Sequence, residues 1–528
     1  MISGKNLRIP GSLNKEIDNF STLDWLLFVA LLAGLAVLIP LFVQRYFKLM
    51  EGIYLVWDSI RLSWAFSLAH SYKLYYPANS GPAIAVVYGP LFPLVYCFLS
   101  VIHSPTKAII FAAFLSCFFF FFPVWRLLLS YGQPVQKKTL YSAVVFLCFC
   151  FLTVISRELT YSALLVHADA LALAMATIAC AFLSRLDNPD NIWPLVFSSI
   201  FSVLSVWTKQ TLFPVTIALP VYMLLAYGYR YMRKYLLCLG VVFLIISLIM
   251  IAFFNLHDLW FYLITLPISS PWRIQGSRLS GLYSAYSYLM AKCLLFALLL
   301  GIYSLYQIFS IPASNNRVRQ WFSSNPWTIF AITGIFMLPT SILGWIKVGG
   351  DYNDLSPTIY FLYLGFILAS FGLILGWLNS DCQKTRWEAK LFLLLIVLAV
   401  TLANREINPN LKNFKILWNN EIQAAYNYEK KHPGVVYFPN QPLSALIAEG
   451  KLYHHAYGVF ERRICGFPLS REHFMENIPP NMRFIAIWSI DRENLEVMKY
   501  FPEFTKQVKI KELPGWTVYS KENENTAY

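Results

Sequence analysis

Several positions in this sequence put an ionisable side chain next to long apolar runs. Glu51 directly follows one such run, in Met50-Glu51-Gly52-Ile53-Tyr54, with Asp58 seven residues on. A carboxylate there is suited to general-base work on an acceptor hydroxyl. The plainer alternative is a solvated residue at a helix end. Asp169 opens an apolar run in Val166-His167-Ala168-Asp169-Ala170-Leu171. A carboxylate entering hydrocarbon must be paired or face water. It can equally cap a helix whose dipole favours negative charge, and both readings can hold together. Lys209 sits in Trp207-Thr208-Lys209-Gln210-Thr211, in a connection too short to be a free loop. It calls for an anionic partner, for which a phosphate would serve; snorkelling to the interface is the alternative.

Two polar loops add to this set. Lys347-Val348-Gly349-Gly350-Asp351-Tyr352-Asn353-Asp354 lies between two apolar runs. Its glycines permit close backbone approach to a ligand, or simply make a tight turn. The loop 255–285 holds His257, Asp258, Trp260, Trp272, Arg273 and Arg278. The tryptophans are ordinary at an interface, whereas the two arginines are suited to a phosphate or a carboxylate.

The elements that must position these residues follow from composition. Of 528 residues, 57% are apolar and only 13% charged, about half the charge of a soluble chain. The apolar residues gather in runs near the ~20 needed to cross a bilayer as a helix. In hydrocarbon such runs must be helical to satisfy their backbone. Spans are expected near 23–43, 107–129, 140–156, 168–185, 192–208, 211–228, 235–254, 286–309, 327–346, 357–378 and 389–404. The run following polar residues 1–22 is read as an uncleaved first span.

Charge decides the one ambiguous stretch, Val86 to Ile102, which Gly89, Pro90 and Pro93 interrupt. If it lies in the interface, Lys137 and Lys138, the cluster Arg230, Arg233 and Lys234, then Arg317 and Arg319, then Lys384, Arg386 and Lys390 all share the side of Lys5 and Arg8. That is the cytoplasmic side by the positive-inside rule. The fold expected is therefore an α-helical polytopic membrane protein of about eleven spans. A cytoplasmic segment 1–22 precedes a membrane domain 23–404, which has a long first outer loop at 44–106. An extracytoplasmic α/β domain, 405–528, follows. All the loops with unusual chemistry then share the outer face, where Lys209 breaks the charge rule.

The C-terminal domain shows strand-like GVVYFP (434–439) and RFIAIWSI (483–490), helix-like 444–450 and 491–501, and a terminal hairpin over 507–520. Its lone Cys465 excludes an internal disulfide and a cysteine zinc site, and most of the nine cysteines lie in apolar runs as small hydrophobes. The net charge of +14 falls in short inter-span clusters, so nucleic acid is not an expected partner. There is no phosphate-binding GxxxxGK[ST], no HExxH, no GxSxG and no EF-hand loop.

Taken in order, these pieces resemble the GT-C superfamily of membrane glycosyltransferases, particularly the bacterial aminoarabinose transferase and protein O-mannosyltransferase-like branch. Glu51-Gly52-Ile53-Tyr54 is similar to the acidic motif of the family's first outer loop, and Tyr88-Gly89-Pro90-Leu91-Phe92-Pro93-Leu94 to its juxtamembrane helix motif. His167-Ala168-Asp169-Ala170-Leu171 resembles its Arg-Pro-Asp-Ala-Leu span start, and Thr208-Lys209-Gln210-Thr211 its Thr-Lys-Gln segment. Gly349-Gly350-Asp351-Tyr352-Asn353 resembles its late glycine and asparagine loop. Met50 and His167 stand where the family often has Asp and Arg. The resemblance spans roughly residues 20 to 400. It implies transfer of a sugar from a polyprenyl-phosphate donor to an extracytoplasmic acceptor, at the bacterial inner membrane, in building the cell envelope. Catalytic roles would fall to Glu51, Asp58 and Asp169, and the donor phosphate to Lys209, Arg273 and Arg278. The substrate pocket would take in His167, Gln210, Tyr88, Asp351 and Asn353. No metal-binding residues are assigned, and a divalent cation is the one cofactor left open. The competing classes are a transporter or flippase of lipid-linked glycans and a non-catalytic envelope-assembly protein. Paired halves with broken midplane helices would mark the former, and none are seen.

Overall fold

A computed structural model describes residues 21–49, 53–84, 86–132, 134–186, 188–273, 278–312, 316–403, 420–488 and 492–521. Every run expected to span carries a helix. These are α1 (Thr22–Leu49), α3 (Pro105–Ser130), α4 (Lys138–Ile155), α6 (Ala168–Ser184), α7 (Ile192–Thr208), α8 (Val215–Tyr227), α9 (Tyr229–Phe253), α10 (Arg278–Ser310), α11 (Thr328–Trp345), α12 (Ser356–Leu378) and α13 (Gln383–Ala403); α2 (Ile53–Ala69) and α5 (Arg157–Leu164) complete the numbering. Among the described residues, eight helices are both long and apolar enough to cross a bilayer. A ninth crossing forms if α5 and α6, bent by 97°, count as one broken span. α7 is shorter at 17 residues, and the first turns of α13 carry Lys384, Arg386, Glu388 and Lys390. The chain is an integral membrane protein, with large apolar side chains such as Leu237, Leu244 and Phe253 of α9 facing outward.

Local signals explain the helix ends. Ser104 caps α3 ahead of Pro105, which suits the first helical position. Asn191 caps α7 through the Trp193 N–H. At one end of the bundle, buried Asp24 of α1 accepts from Lys137 at 2.8 Å, Lys390 at 2.9 Å and Tyr141 at 2.9 Å, tying α1, α4 and α13 together.

The stretch between α1 and α3 is partly helical. It contains α2, whose residues Leu55, Val56, Ile60, Leu62, Trp64 and Phe66 are buried on all sides. The stretch after it forms a short helix, Leu91–Tyr96, continued by a 3₁₀ turn to Val101. That is too short to cross ~30 Å of hydrocarbon. It leaves Leu94, Phe98 and Val101 exposed as an apolar face, as an interfacial helix does.

The C-terminal part is the expected small α/β domain. Its helices include α14 (Glu421–Lys431), α15 (Pro442–Glu449) and α16 (Ala456–Ile464). Its strands are β1 (Val436–Tyr437), β2 (Phe484–Ile487), β3 (Lys506–Val508) and β4 (Thr517–Ser520), in the order β1-β2-β4-β3. β1 and β2 run parallel; β3 and β4 form the antiparallel terminal hairpin. The domain docks on the stretch between α1 and α3. Ser59 donates to the Gln441 side-chain oxygen at 2.6 Å, and the Ala83 N–H to His454 Nδ1 at 2.8 Å.

Candidate functional site

The site begins at the break between α5 and α6. Residues 165–167 are extended, so a helix end at membrane depth exposes backbone N–H groups that need partners. Asp58, buried in α2, takes one of them: its Oδ1 accepts the Val166 N–H at 3.0 Å. Its other neighbour is Arg61, at 3.8 Å. Burial pushes the Asp58 carboxyl up to about 8, against the pull of Arg61 and the Val166 bond. Asp58 thus holds the break through its bond to Val166.

The break aims His167 and Asp169 inward, and Asp169 is the hub of a buried network. One oxygen accepts Lys209 Nζ at 2.7 Å; the other accepts the Asn353 amide at 3.0 Å and faces His167 Nδ1. A carboxylate only accepts, so Nδ1 carries the imidazole proton and Nε2 accepts the Tyr88 hydroxyl at 2.8 Å. Burial pushes the Tyr88 phenol up to about 12, so the hydroxyl keeps its proton. Lys209 also reaches Asp354 at 3.3 Å. Burial by itself would lower the Lys209 ammonium, but the Asp169 and Asp354 carboxylates outweigh it and hold it above the usual lysine range. The anion that Lys209 calls for is supplied by the chain itself.

Tyr88 is held by its backbone. Ile84 and Val86–Tyr88 have no regular structure, and three side chains donate to carbonyls among them. Trp64 Nε1 donates to Ile84 at 3.1 Å, Gln210 Nε2 to Val87 at 2.6 Å and the Tyr75 hydroxyl to Tyr88 at 2.7 Å. Gly89 then passes the end of α7 so closely that a Cβ would lie 1.8 Å from the Trp207 carbonyl oxygen.

The late glycine loop forms the opposite wall. Gly349 adopts φ +88°, a left-handed conformation that favours glycine. Asp351 and Asp354 form a reciprocal capping box around the turn Tyr352–Asp354. Arg273 is pinned across it, its backbone N–H on the Ile346 carbonyl at 2.7 Å and its Nη2 on the Gly350 carbonyl at 2.7 Å.

These walls enclose a cavity of about 260 Å³. Tyr88, His167, Asp351, Asn353 and Asp354 line it, with Arg61 and Arg273 as its cations. Arg61 Nη1 is buried and finds no hydrogen-bond partner among the described residues. The C-terminal domain contributes Tyr457, which packs edge-on against Trp57 at 4.3 Å.

Of the residues singled out in the sequence, Tyr88, His167, Asp169, Lys209, Gln210, Arg273, Asp351 and Asn353 come together here. Glu51 and the Arg278 side chain lie outside the described residues. Sequence reasoning passed over Arg61, Asp354 and Tyr457 as site residues. The first two stand beside singled-out residues, three after Asp58 and one after Asn353. Tyr457 carries no local signal, because only the docked domain brings it here. Among the described residues no three His, Cys, Asp or Glu side chains gather as a metal-binding group.

This bundle, with its short apolar helix, broken span and C-terminal α/β domain, shares its fold with a solved structure. The particular likeness is to ArnT from Cupriavidus metallidurans bound to undecaprenyl phosphate. It covers 92% of this chain and 97% of that one, at 11% identity and a TM-score of 0.54. The oligosaccharyltransferase of Archaeoglobus fulgidus in its apo form aligns over 86% of this chain and 69% of its own, at 12% identity and a TM-score of 0.43. No protein-family description matches the sequence, and neither does any curated protein.

Proposed function

We propose that the chain transfers a sugar from a polyprenyl-phosphate donor to an acceptor hydroxyl on the extracytoplasmic side of the membrane. The observation that carries this reading is the pair of guanidiniums, Arg61 and Arg273, lining one cavity, with a buried Arg61 nitrogen that has no hydrogen-bond partner among the described residues. Planar forks of this kind suit a phosphate. In this reading the acceptor oxygen attacks the anomeric carbon. The bond from that carbon to the phosphate oxygen breaks, and the phosphate leaves with the electron pair. Glu51, two residues after α1 in sequence, receives the hydroxyl proton. Asp169 acts as a positioning residue through His167, Lys209 and Asn353, and the donor phosphate falls to Arg61 and Arg273. The undecaprenyl phosphate bound in the ArnT structure agrees with this donor class.

The test uses the purified full chain in detergent with a labelled polyprenyl-phosphate sugar and a survey of extracytoplasmic acceptors. R273Q and R61Q should weaken donor binding by about tenfold or more, the scale of a lost charged hydrogen bond. E51Q should abolish transfer and leave donor binding intact. A chain that neither binds nor consumes any such donor sinks the reading.

A further inference from the structure

The candidate cavity has a corner made of two rings from distant parts of the chain. Trp57 comes from α2 and Tyr457 from α16. Both line the cavity, and their rings meet at 74° with centroids 4.3 Å apart. Arg61 stands one turn along α2 from Trp57, its guanidinium carbon 5.4 Å from the centre of that ring. The Tyr457 hydroxyl also approaches the late glycine loop, 3.6 Å from where a Cβ on Gly349 would lie. Tyr457 thus reaches from α2 toward that loop.

The first turn of α16, which carries Tyr457, is tightly held. The His455 N–H donates to the Ala83 carbonyl at 3.1 Å, and the Ala456 N–H to the Pro439 carbonyl at 2.9 Å. Gly458 lies so close to Ala83 that a Cβ would stand 2.1 Å from its carbonyl oxygen. Ala83 itself is buried in a core with Tyr437, Val459 and Phe474 of the C-terminal domain. A ring fixed in this way has little freedom left to lose when a ligand settles against it, which favours binding.

We propose that Tyr457 and Trp57 contact the sugar ring of the donor, so that the C-terminal domain takes part in selecting the sugar. This rests on the transfer reading. A sugar presents hydroxyls at its rim and C–H groups on its face. The C–H groups carry slight positive charge and suit the negative face of an aromatic ring. The rim hydroxyls find acceptors in the Asp351 and Asp354 carboxylates, which line the same cavity. The first sugar is joined to the phosphate through one oxygen, so a phosphate on Arg61 brings that sugar within reach of Trp57. Position favours the sugar over the isoprenoid tail. The tail belongs with the apolar membrane helices, whereas α16 carries Glu461, Arg462 and Arg463 and lies in the α/β domain.

The test measures binding to the purified full chain in detergent, with no acceptor present. The probes are undecaprenyl phosphate alone and undecaprenyl phosphate carrying glucose, mannose or arabinose. The wild type should bind at least one sugar-bearing form more tightly than the bare lipid. Y457L and W57L should each reduce that advantage by about fivefold, the scale of an aromatic contact, and leave affinity for the bare lipid unchanged. Y457F keeps the ring and should recover most of the advantage that Y457L loses. Circular dichroism and the thermal midpoint check that each variant is folded. A wild type that binds none of the four lipids sinks the transfer reading, and this proposal with it. The proposal alone is overturned if the wild type binds bare and sugar-bearing lipids equally, or if Y457L and W57L keep the full advantage. It is also overturned if both variants weaken the bare lipid as much as the sugar-bearing one, which would place the rings on the phosphate or the tail.

Discussion

Asp169 and Lys209 carry most of the electrostatic weight of the site, and each is buried because the other is. Removing one partner of a buried ion pair leaves an uncompensated charge, at a cost of about 3–5 kcal/mol. K209M strands Asp169, and in part Asp354, so it should lower stability by about that amount. D169N keeps the shape but leaves Lys209 with Asp354 alone, and should also destabilise. The double variant D169N/K209M should cost clearly less than the two singles summed, because neither charge is then stranded. Thermal unfolding in detergent measures this as midpoint shifts, and strictly additive shifts would refute the coupling. The sequence made these residues conspicuous for a sound reason: a charge amid apolar runs must find a partner. It did not name the partner, because Asp169 and Asp354 lie 40 and 145 positions from Lys209. Phosphate was therefore a chemically reasonable guess for an anion the fold already contains.

At the scale of elements, the apolar runs made the membrane helices legible, since length and backbone satisfaction leave them no other structure. The segment Ile84–Pro90 and helix α2 were not legible. α2 is covered on all sides by the C-terminal domain and the bundle, so its sequence has no polar face to mark its period. Ile84 and Val87–Gly89 are held by Trp64, Tyr75, Gln210 and the end of α7, none of them a sequence neighbour. Gly89 is where this dependence is sharpest. An alanine there drives a methyl into the Trp207 carbonyl, a backbone atom that cannot rotate away. G89A should displace Tyr88 from His167 and reduce donor binding and transfer at least tenfold, with helix content by circular dichroism unchanged. G240A is the control: a Cβ at that position of α9 meets nothing within 4 Å, so it should behave as wild type. Equal behaviour of the two variants would show that the close approach at Gly89 does not shape the site.

The whole molecule is a membrane bundle whose candidate cavity is lined in part by a separate domain, and that junction makes stability depend on pH. One turn beyond Tyr457, on the same helix α16, lies buried Glu461, whose Oε2 has no hydrogen-bond partner among the described residues. Burial pushes its carboxyl from 4.5 up to about 7, opposed by the Tyr457 hydroxyl. The folded chain therefore keeps this proton where the unfolded chain has lost it. The resulting stabilisation is complete below about pH 4.5 and is lost as pH rises through 7, a change on the order of 2 kcal/mol. His454 and His455, at the junction with the stretch between α1 and α3, act in the opposite sense. Burial holds both down to about 3, so they favour the folded state above pH 6.5 and lose that contribution as pH falls. The two effects overlap, so the informative quantity is the difference between wild type and E461Q, which mimics the neutral acid at all pH values. The two proteins should unfold at similar temperatures at pH 5. E461Q should be the more stable by several degrees at pH 8, with the gap opening between those values. A difference that stays flat from pH 5 to 8 would mean that Glu461 is ionised in the folded protein, and that the junction beneath Tyr457 admits water.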